Sequence, residues 1–283
     1  HWGYWVWQFK VKIEKFFKVP EGHIGLVEAI DGTPIPSGRN LAKHVDCDSY
    51  QSVRQFVENG GERGPQLTTL PPGEFRINQK VFRVTLAPAI VIKEGEVGII
   101  TTQEGTPLAQ GEIAGARVAI DHQTYQDAQA FVTNGGNKGL QEVPILAGRY
   151  YLNPRFAEVE RVRMTEVPIG YVGVVVSYVG TAPAPTAQQS QNFRHGTIVS
   201  RGEKGVWEET LAPGMYPINP KTHKVELVPT TNIVLNWADA KTASHSLDAG
   251  LSTITVRSAD GFTFNLDVSQ IIHIPRDKAA AVI

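Results

Sequence analysis

Val19-Pro-Glu-Gly-His-Ile-Gly-Leu-Val27 returns as Ile92-Lys-Glu-Gly-Glu-Val-Gly-Ile-Ile100 and again as Val167-Pro-Ile-Gly-Tyr-Val-Gly-Val-Val175. The register extends outward from this motif. Gly32-Thr33-Pro34 recurs as Gly105-Thr106-Pro107, and Asn59-Gly60-Gly61 recurs as Asn134-Gly135-Gly136. Pro72-Gly73-Glu-Phe-Arg-Ile-Asn78 recurs as Ala147-Gly148-Arg-Tyr-Tyr-Leu-Asn153 and Pro213-Gly214-Met-Tyr-Pro-Ile-Asn219. Tandem units of this kind build structural arrays, and their spacing exceeds that of common solenoid repeats, so each unit reads as a small domain in its own right.

The spacing of equivalent glycines shows where the units change length. Gly73 to Gly148 is longer than Gly22 to Gly95 by two residues, which places an insertion between Gly111 and Asp121. The third unit is shorter, and its loss falls in the middle. Length changes confined to unit interiors are what surface loops tolerate.

Within a unit, Ile24, Leu26 and Val27, with their counterparts Val97, Ile99, Ile100 and Val172, Val174, Val175, form apolar runs bounded by glycine and predict strands. Tyr50, Val53, Phe56 and Val57 predict one stripe of a short helix, as do Tyr125, Ala128, Phe131 and Val132. Both stretches run into Asn-Gly-Gly, which predicts helix ends with Gly60 and Gly135 in the left-handed conformation. Phe75 and Ile77, then Val81, Phe82, Val84 and Leu86, predict a further strand pair. The third unit replaces the helix by Gly180-Thr-Ala-Pro-Ala-Pro-Thr-Ala-Gln-Gln-Ser-Gln191, a predicted exposed loop, and its frame resumes at Gly202-Glu-Lys-Gly205. Beyond Val228, Leu251 to Ile274 predicts two alternating strands joined at Asp260-Gly261. Pro275-Arg276-Asp277 then opens an alanine-rich first turn of a helix.

Composition narrows the function classes. The chain has 283 residues, 41% of them hydrophobic, and a net charge of −1, which gives no global reason to bind nucleic acid. One cysteine, Cys47, excludes an internal disulfide framework. The amino-terminal edge is distinctive: Trp2, Tyr4, Trp5, Trp7 and Phe9 precede Lys10, Lys12, Lys15 and Lys18. Aromatic rings favour the headgroup layer and lysines its cytoplasmic side, so Trp2, Tyr4, Trp5, Trp7, Phe9, Lys10 and Lys12 are expected at a membrane interface.

Little in the sequence carries chemistry. The Asn59-Gly-Gly-Glu-Arg-Gly64 and Asn134-Gly-Gly-Asn-Lys-Gly139 loops follow a predicted helix, whereas a phosphate cradle precedes one. Asp46-Cys47-Asp48 has Asp121-His122-Gln123 as its counterpart, so the units share no ligand set. No closely spaced metal pair of histidines and no Gly-x-Ser-x-Gly elbow is present. No catalytic, metal or cofactor residue is expected.

Thr255-Val-Arg-Ser-Ala-Asp-Gly-Phe-Thr-Phe-Asn-Leu-Asp-Val268, followed by Ile272-His-Ile-Pro-Arg-Asp277, resembles the core of the SPFH, or band 7, domain of stomatins, prohibitins and flotillins. The opening V-x-x-G-x-x-G-V strand of that domain is similar to Val167–Val174, and its L-x-P-G turn to Leu211-Ala-Pro-Gly-Met-Tyr-Pro-Ile-Asn-Pro220. The first two units then resemble extra copies of its opening subdomain, an organisation similar to that of the major vault protein. The expected fold class is α+β: tandem β-rich domains, each with a short helix, before an SPFH domain, elongated. The expected divisions are an anchor segment at 1–18, repeats at 19–91, 92–166 and 167–230, and a second SPFH subdomain at 231–283, without the long helical region that follows in the family.

The resemblance implies a non-enzymatic, membrane-associated, flotillin-like scaffold that assembles with itself into a large homo-oligomeric ring or cage. Its implied partners are lipids and, through confinement, a membrane protease or other membrane proteins. The implied setting is the bacterial inner membrane with the repeats facing the cytoplasm. Two other readings remain open at this point: an enzyme or ligand-binding module with sites between repeats, and a soluble vault-like shell.

Overall fold

The structure is a computed structural model that describes residues 13, 15–183, 197–239 and 247–283. It is β-rich and falls into two compact units, one ending at Arg163 and the other beginning at Met164. The first unit holds repeats 1 and 2. The second holds repeat 3 and the segment after it.

The three repeats share one topology. In repeat 1 the glycine-bounded strand His23–Ala29 lies between Glu62–Leu70 and Phe82–Pro88, with Thr33–Pro34 parallel to Glu62 and Arg63 at the edge. In repeat 2 Glu96–Thr102 lies between Gly139–Leu140 and Ala157–Arg163. In repeat 3 Tyr171–Ser177 lies between Gly205–Trp207 and His223–Pro229. Each repeat also has a small ribbon in which its entry strand pairs with the strand after the Gly73-type turn: Phe17–Val19 with Gly73–Phe75, Ile90–Ile92 with Gly148–Tyr150, and Thr165–Val167 with Gly214–Tyr216. Central strands such as Tyr171–Ser177 are buried almost throughout, because both of their faces are covered.

Two short helices stand where the sequence predicts them, α1 at Val53–Glu58 and α2 at Ala128–Thr133. Ser52 Oγ accepts from Gln55 N–H and Asp127 Oδ1 accepts from Ala130 N–H, so each start is capped by its own side chain. At the other end Gly60 N–H donates to Val57 O and Gly61 N–H to Phe56 O, with Gly60 at φ +71°. Gly135 at φ +83° and Gly136 repeat the pattern. This paired closure needs a left-handed residue, which glycine supplies without a Cβ penalty. The following glycine is required for a different reason: a Cβ on Gly61 or Gly136 would stand 2.5 or 2.3 Å from the ring of Phe56 or Phe131.

The predicted helix stripe is shorter than its sequence pattern. Tyr50 precedes α1 in a left-handed run, Asp48, Ser49 and Tyr50 having φ of 53°, 52° and 63°. Its ring enters the core from that turn and packs against Phe56 and Phe82, while Val57 faces outward, 58% exposed. Tyr125 reaches Phe131 from the same turn in repeat 2. A single helical turn and a half has room for one fully buried aromatic, and the turn before it supplies the other.

The second unit contains the hairpin predicted at Asp260-Gly261: Ile254–Arg257 pairs with Thr263–Leu266, and Gly261 has φ +88°. The second alternating run is divided, however. Val268–Ile272 leaves the hairpin after Asp267 and pairs with Ile233–Trp237. The alanine-rich end forms a 3₁₀ helix, Arg276–Ala281, rather than an α-helix, and buries Ala279 and Ala280 among Val172, Val174 and Val176. Of the predicted Gly180–Gln191 loop, residues 184–191 lie outside the described residues.

A valine at position 60 or 135 must adopt positive φ, at a cost of about 1–3 kcal/mol. Gly60→Val and Gly135→Val are each expected to lower the melting temperature measured by circular dichroism, whereas Val57→Ala on the exposed face of α1 leaves it nearly unchanged.

Candidate functional site

The most elaborate arrangement of side chains in the first unit is the seam between repeats 1 and 2. Leu41 and Leu67 belong to repeat 1 in sequence, yet both are buried in the core of repeat 2 with Ile92, Ile100, Leu152 and Phe156. Repeat 1 therefore inserts a two-leucine wedge into its neighbour. Burying each of these side chains is worth roughly 1.5–3 kcal/mol.

Polar groups fix the wedge on both sides. The loop carrying Leu41 is shaped within repeat 1 by Glu62, a buried carboxylate paired with Arg39 and accepting from Lys43 N–H at 2.9 Å. That loop presents two main-chain amides, Asn40 N–H and Leu41 N–H, to Glu104 Oε1 of repeat 2, the latter at 2.8 Å. From the opposite side Asn153 Nδ2 donates to Gln66 O at 3.2 Å and Leu67 O at 2.9 Å. Its Oδ1 meanwhile accepts from Arg155 N–H, which fixes the amide's orientation. His44 N–H donates to Gln129 Oε1 of α2 at 3.1 Å. Glu104 and Asn153 are both at least 95% buried, and buried polar groups of this kind specify one register between packed elements when their partners are met.

A second feature lies inside repeat 2. Ala42 and Gly115 make equivalent bridges to Gln66 and Gln141, and Cys47 and His122 precede equivalent turns. The two-residue insertion therefore falls between Gly115 and His122. It lines an open cavity of about 450 Å³ with Arg117, Asp121, His122, Tyr125 and Ile145. His122 Nδ1 accepts from Tyr125 N–H at 2.8 Å, and its ring packs on Tyr125 and Phe131. Burial lowers the His122 pKa below its ordinary 6.5, so the imidazole stays neutral near pH 7. Its counterpart Cys47 is buried with its thiol pKa pushed up, chiefly by desolvation. A thiol held protonated is a poor nucleophile and a poor ligand. Among the described residues no group of three or more His, Cys, Asp or Glu is placed to hold a metal ion.

The expected membrane-interface residues Trp2, Tyr4, Trp5, Trp7, Phe9, Lys10 and Lys12 lie outside the described residues. Among the described residues no helix is long and apolar enough to cross a membrane. Sequence reasoning did not find the seam. Its signal was the asparagine closing each turn motif, at 78, 153 and 219, which reads as a turn residue until the fold shows where its amide points.

The second unit coincides with a family match: residues 165–283 match the SPFH domain / Band 7 family. The second unit is therefore an SPFH/band 7 domain, and that family is broadly one of membrane-associated scaffold proteins. No curated protein matches the chain.

Asn153→Ala leaves two buried carbonyls without a donor and is expected to destabilise the first unit by about 1–3 kcal/mol. Asn78→Ala, at the exposed counterpart, should change stability by no more than about 0.5 kcal/mol. Urea unfolding distinguishes the two. A pH dependence follows from His122: the folded unit binds fewer protons than the unfolded chain, so this contribution is intact above pH 6.5 and is lost as pH falls below it. His122→Cys, which installs the residue of repeat 1, should make the acid-side loss of melting temperature shallower.

Proposed function

We propose that this protein is a flotillin-like scaffold that assembles with itself into a large ring or cage on a membrane, where it organises a lipid microdomain or confines membrane proteins. The observation that carries the reading is an SPFH domain at residues 165–283 preceded by repeats of its own opening topology. Two repeats locked by a buried wedge suit a wall element, because load passes through a fixed interface instead of a flexible linker. The chemistry suits it as well: the histidine and cysteine at equivalent positions are held neutral by desolvation.

In this reading the segment Trp2–Lys12 lies at the lipid surface, with the aromatics at headgroup level and the lysines on the cytoplasmic side of the bacterial inner membrane. Neighbouring subunits stand side by side on that membrane. An apolar face on the SPFH hairpin supports self-association. Ile254 pairs with Leu266 and Val256 with Phe264 on one side of that ribbon, and Ile254, Phe264 and Leu266 are each at least 40% exposed. Contiguous exposed apolar surface of this kind is characteristic of contact sites.

Imaging the protein extracted in mild detergent is expected to show a closed particle on a micelle. Replacing Trp2, Trp5 and Trp7 together with serine should shift it from the membrane to the soluble fraction while the particle persists. Unchanged membrane partition removes the anchor, and a monomer at all concentrations removes the scaffold. Phe264→Asp with Leu266→Asp should shrink the particle in analytical ultracentrifugation.

A further inference from the structure

Repeat 2 shows how a unit of this kind receives its neighbour, and repeat 1 carries the equivalent surface with no neighbour in it among the described residues. The correspondence is residue by residue. Ile30 N–H donates to Val81 O as Gln103 N–H donates to Phe156 O. Val81 and Phe82 N–H both bond to Asn78 O, as Phe156 and Ala157 N–H do to Asn153 O. Ile77 therefore stands where Leu152 stands, and Val84 where Val159 stands.

In repeat 2 this surface packs on Leu41 and Leu67 of the preceding repeat. In repeat 1 it is a groove of about 270 Å³ in which Phe17, Ile30, Ile77, Phe82 and Val84 are flanked by Gln79 and Arg83. The core of repeat 1 draws all its described residues from 17–84 and includes none from another repeat. Ile30 on the groove wall is 47% exposed.

The polar fittings are present too. Asn78 Oδ1 accepts from Lys80 N–H at 3.0 Å, as Asn153 Oδ1 accepts from Arg155 N–H. This fixes its amide in the same orientation, with Nδ2 free among the described residues for a neighbour's carbonyls. Asp31 occupies the position of Glu104, exposed and bonded only to Gly32 N–H among the described residues. An asparagine amide, a carboxylate and a groove with apolar side chains at the positions of Leu152 and Val159 are the three elements that hold Leu41 and Leu67 one repeat later.

We infer that the groove at Phe17, Ile30, Ile77, Phe82 and Val84 is a docking socket for a further β-rich unit of the repeat's own kind. That unit presents a leucine pair at the positions of Leu41 and Leu67, two main-chain carbonyls for Asn78 Nδ2, and two main-chain amides for Asp31. The occupant's chemistry follows from the filled socket in repeat 2. The inference does not depend on membrane attachment or on a closed particle. A socket of this kind lets the array of units extend beyond repeat 1 by the contact that already joins repeat 1 to repeat 2.

The test uses the full chain with residues 17–89 duplicated in tandem, which reproduces the junction between repeats 1 and 2. With the buried Cys47 replaced by serine throughout, a single reporter thiol, Ile30→Cys, is placed in the inner copy, and its maleimide labelling rate is compared with that of Ile30→Cys in the unextended chain. Gln103→Cys reports the filled socket. Docking predicts fast labelling in the unextended chain and a slowing of about tenfold or more in the duplicated chain, towards the rate at position 103. Leu41→Asp with Leu67→Asp in the added copy should restore fast labelling. A rate in the duplicated chain equal to that of the unextended chain overturns the inference, whether or not the added copy folds. Slow labelling already in the unextended chain overturns it as well, because the groove is then filled from elsewhere. A rate in the unextended chain that falls with protein concentration assigns the groove to another surface of a second copy and likewise overturns it.

Discussion

Leu41 and Leu67 are buried in a core to which they do not belong by sequence, and the first unit is organised around that displacement. The wedge they form is apolar, so the attraction is not directional. Its register comes from Glu104 and Asn153, which meet main-chain amides and carbonyls on either side of the leucines. These partners are backbone groups, so the contact depends on the path of two loops more than on the side chains those loops carry. Glu62 and Arg39 set that path from within repeat 1. Loss of any one of these fittings leaves a buried polar group unmet, and this is why the two repeats form one compact unit instead of two beads.

Comparison between repeats separates what the topology requires from what each position has been free to change. The paired glycines after the helices are required, by positive φ at Gly60 and Gly135 and by the aromatic ring beside Gly61 and Gly136. The position before the left-handed turn is not tied to one residue, since a buried Cys47 and a half-buried His122 both fill it. Aromatic volume has also moved between neighbouring sites: Phe82 packs on Phe56 in repeat 1, whereas Phe156, the counterpart of Val81, packs on Phe131 in repeat 2. A core tolerates such exchanges when total volume is kept.

Much of the fold was legible because its signals are local. Glycine spacing announced the repeats, Asn-Gly-Gly announced the helix ends, and Asp260-Gly261 announced a hairpin. The misread elements are those decided by distant partners. Val57 sits at a helical spacing from Val53, but no core faces it. The strand after Asp267 alternates in continuity with the one before it, yet pairs with Ile233–Trp237, far upstream in the chain. The alanines at 279 and 280 suggest an ordinary helix, and the tighter 3₁₀ form brings them against Val172, Val174 and Val176.

The sequence by itself determined the number of repeats, most of the strand and helix content, the capping glycines and the resemblance of residues 167–283 to an SPFH domain, because each is written in residues close together along the chain. Only the tertiary structure decided that two repeats share a core and that Asn153 reaches back to Gln66 and Leu67. It also revealed that the equivalent face of repeat 1 is an open groove among the described residues. The physical reason is that a wedge is defined by what surrounds it. Leu41 and Leu67 look like any buried leucines until the chain has folded and shown which core they enter.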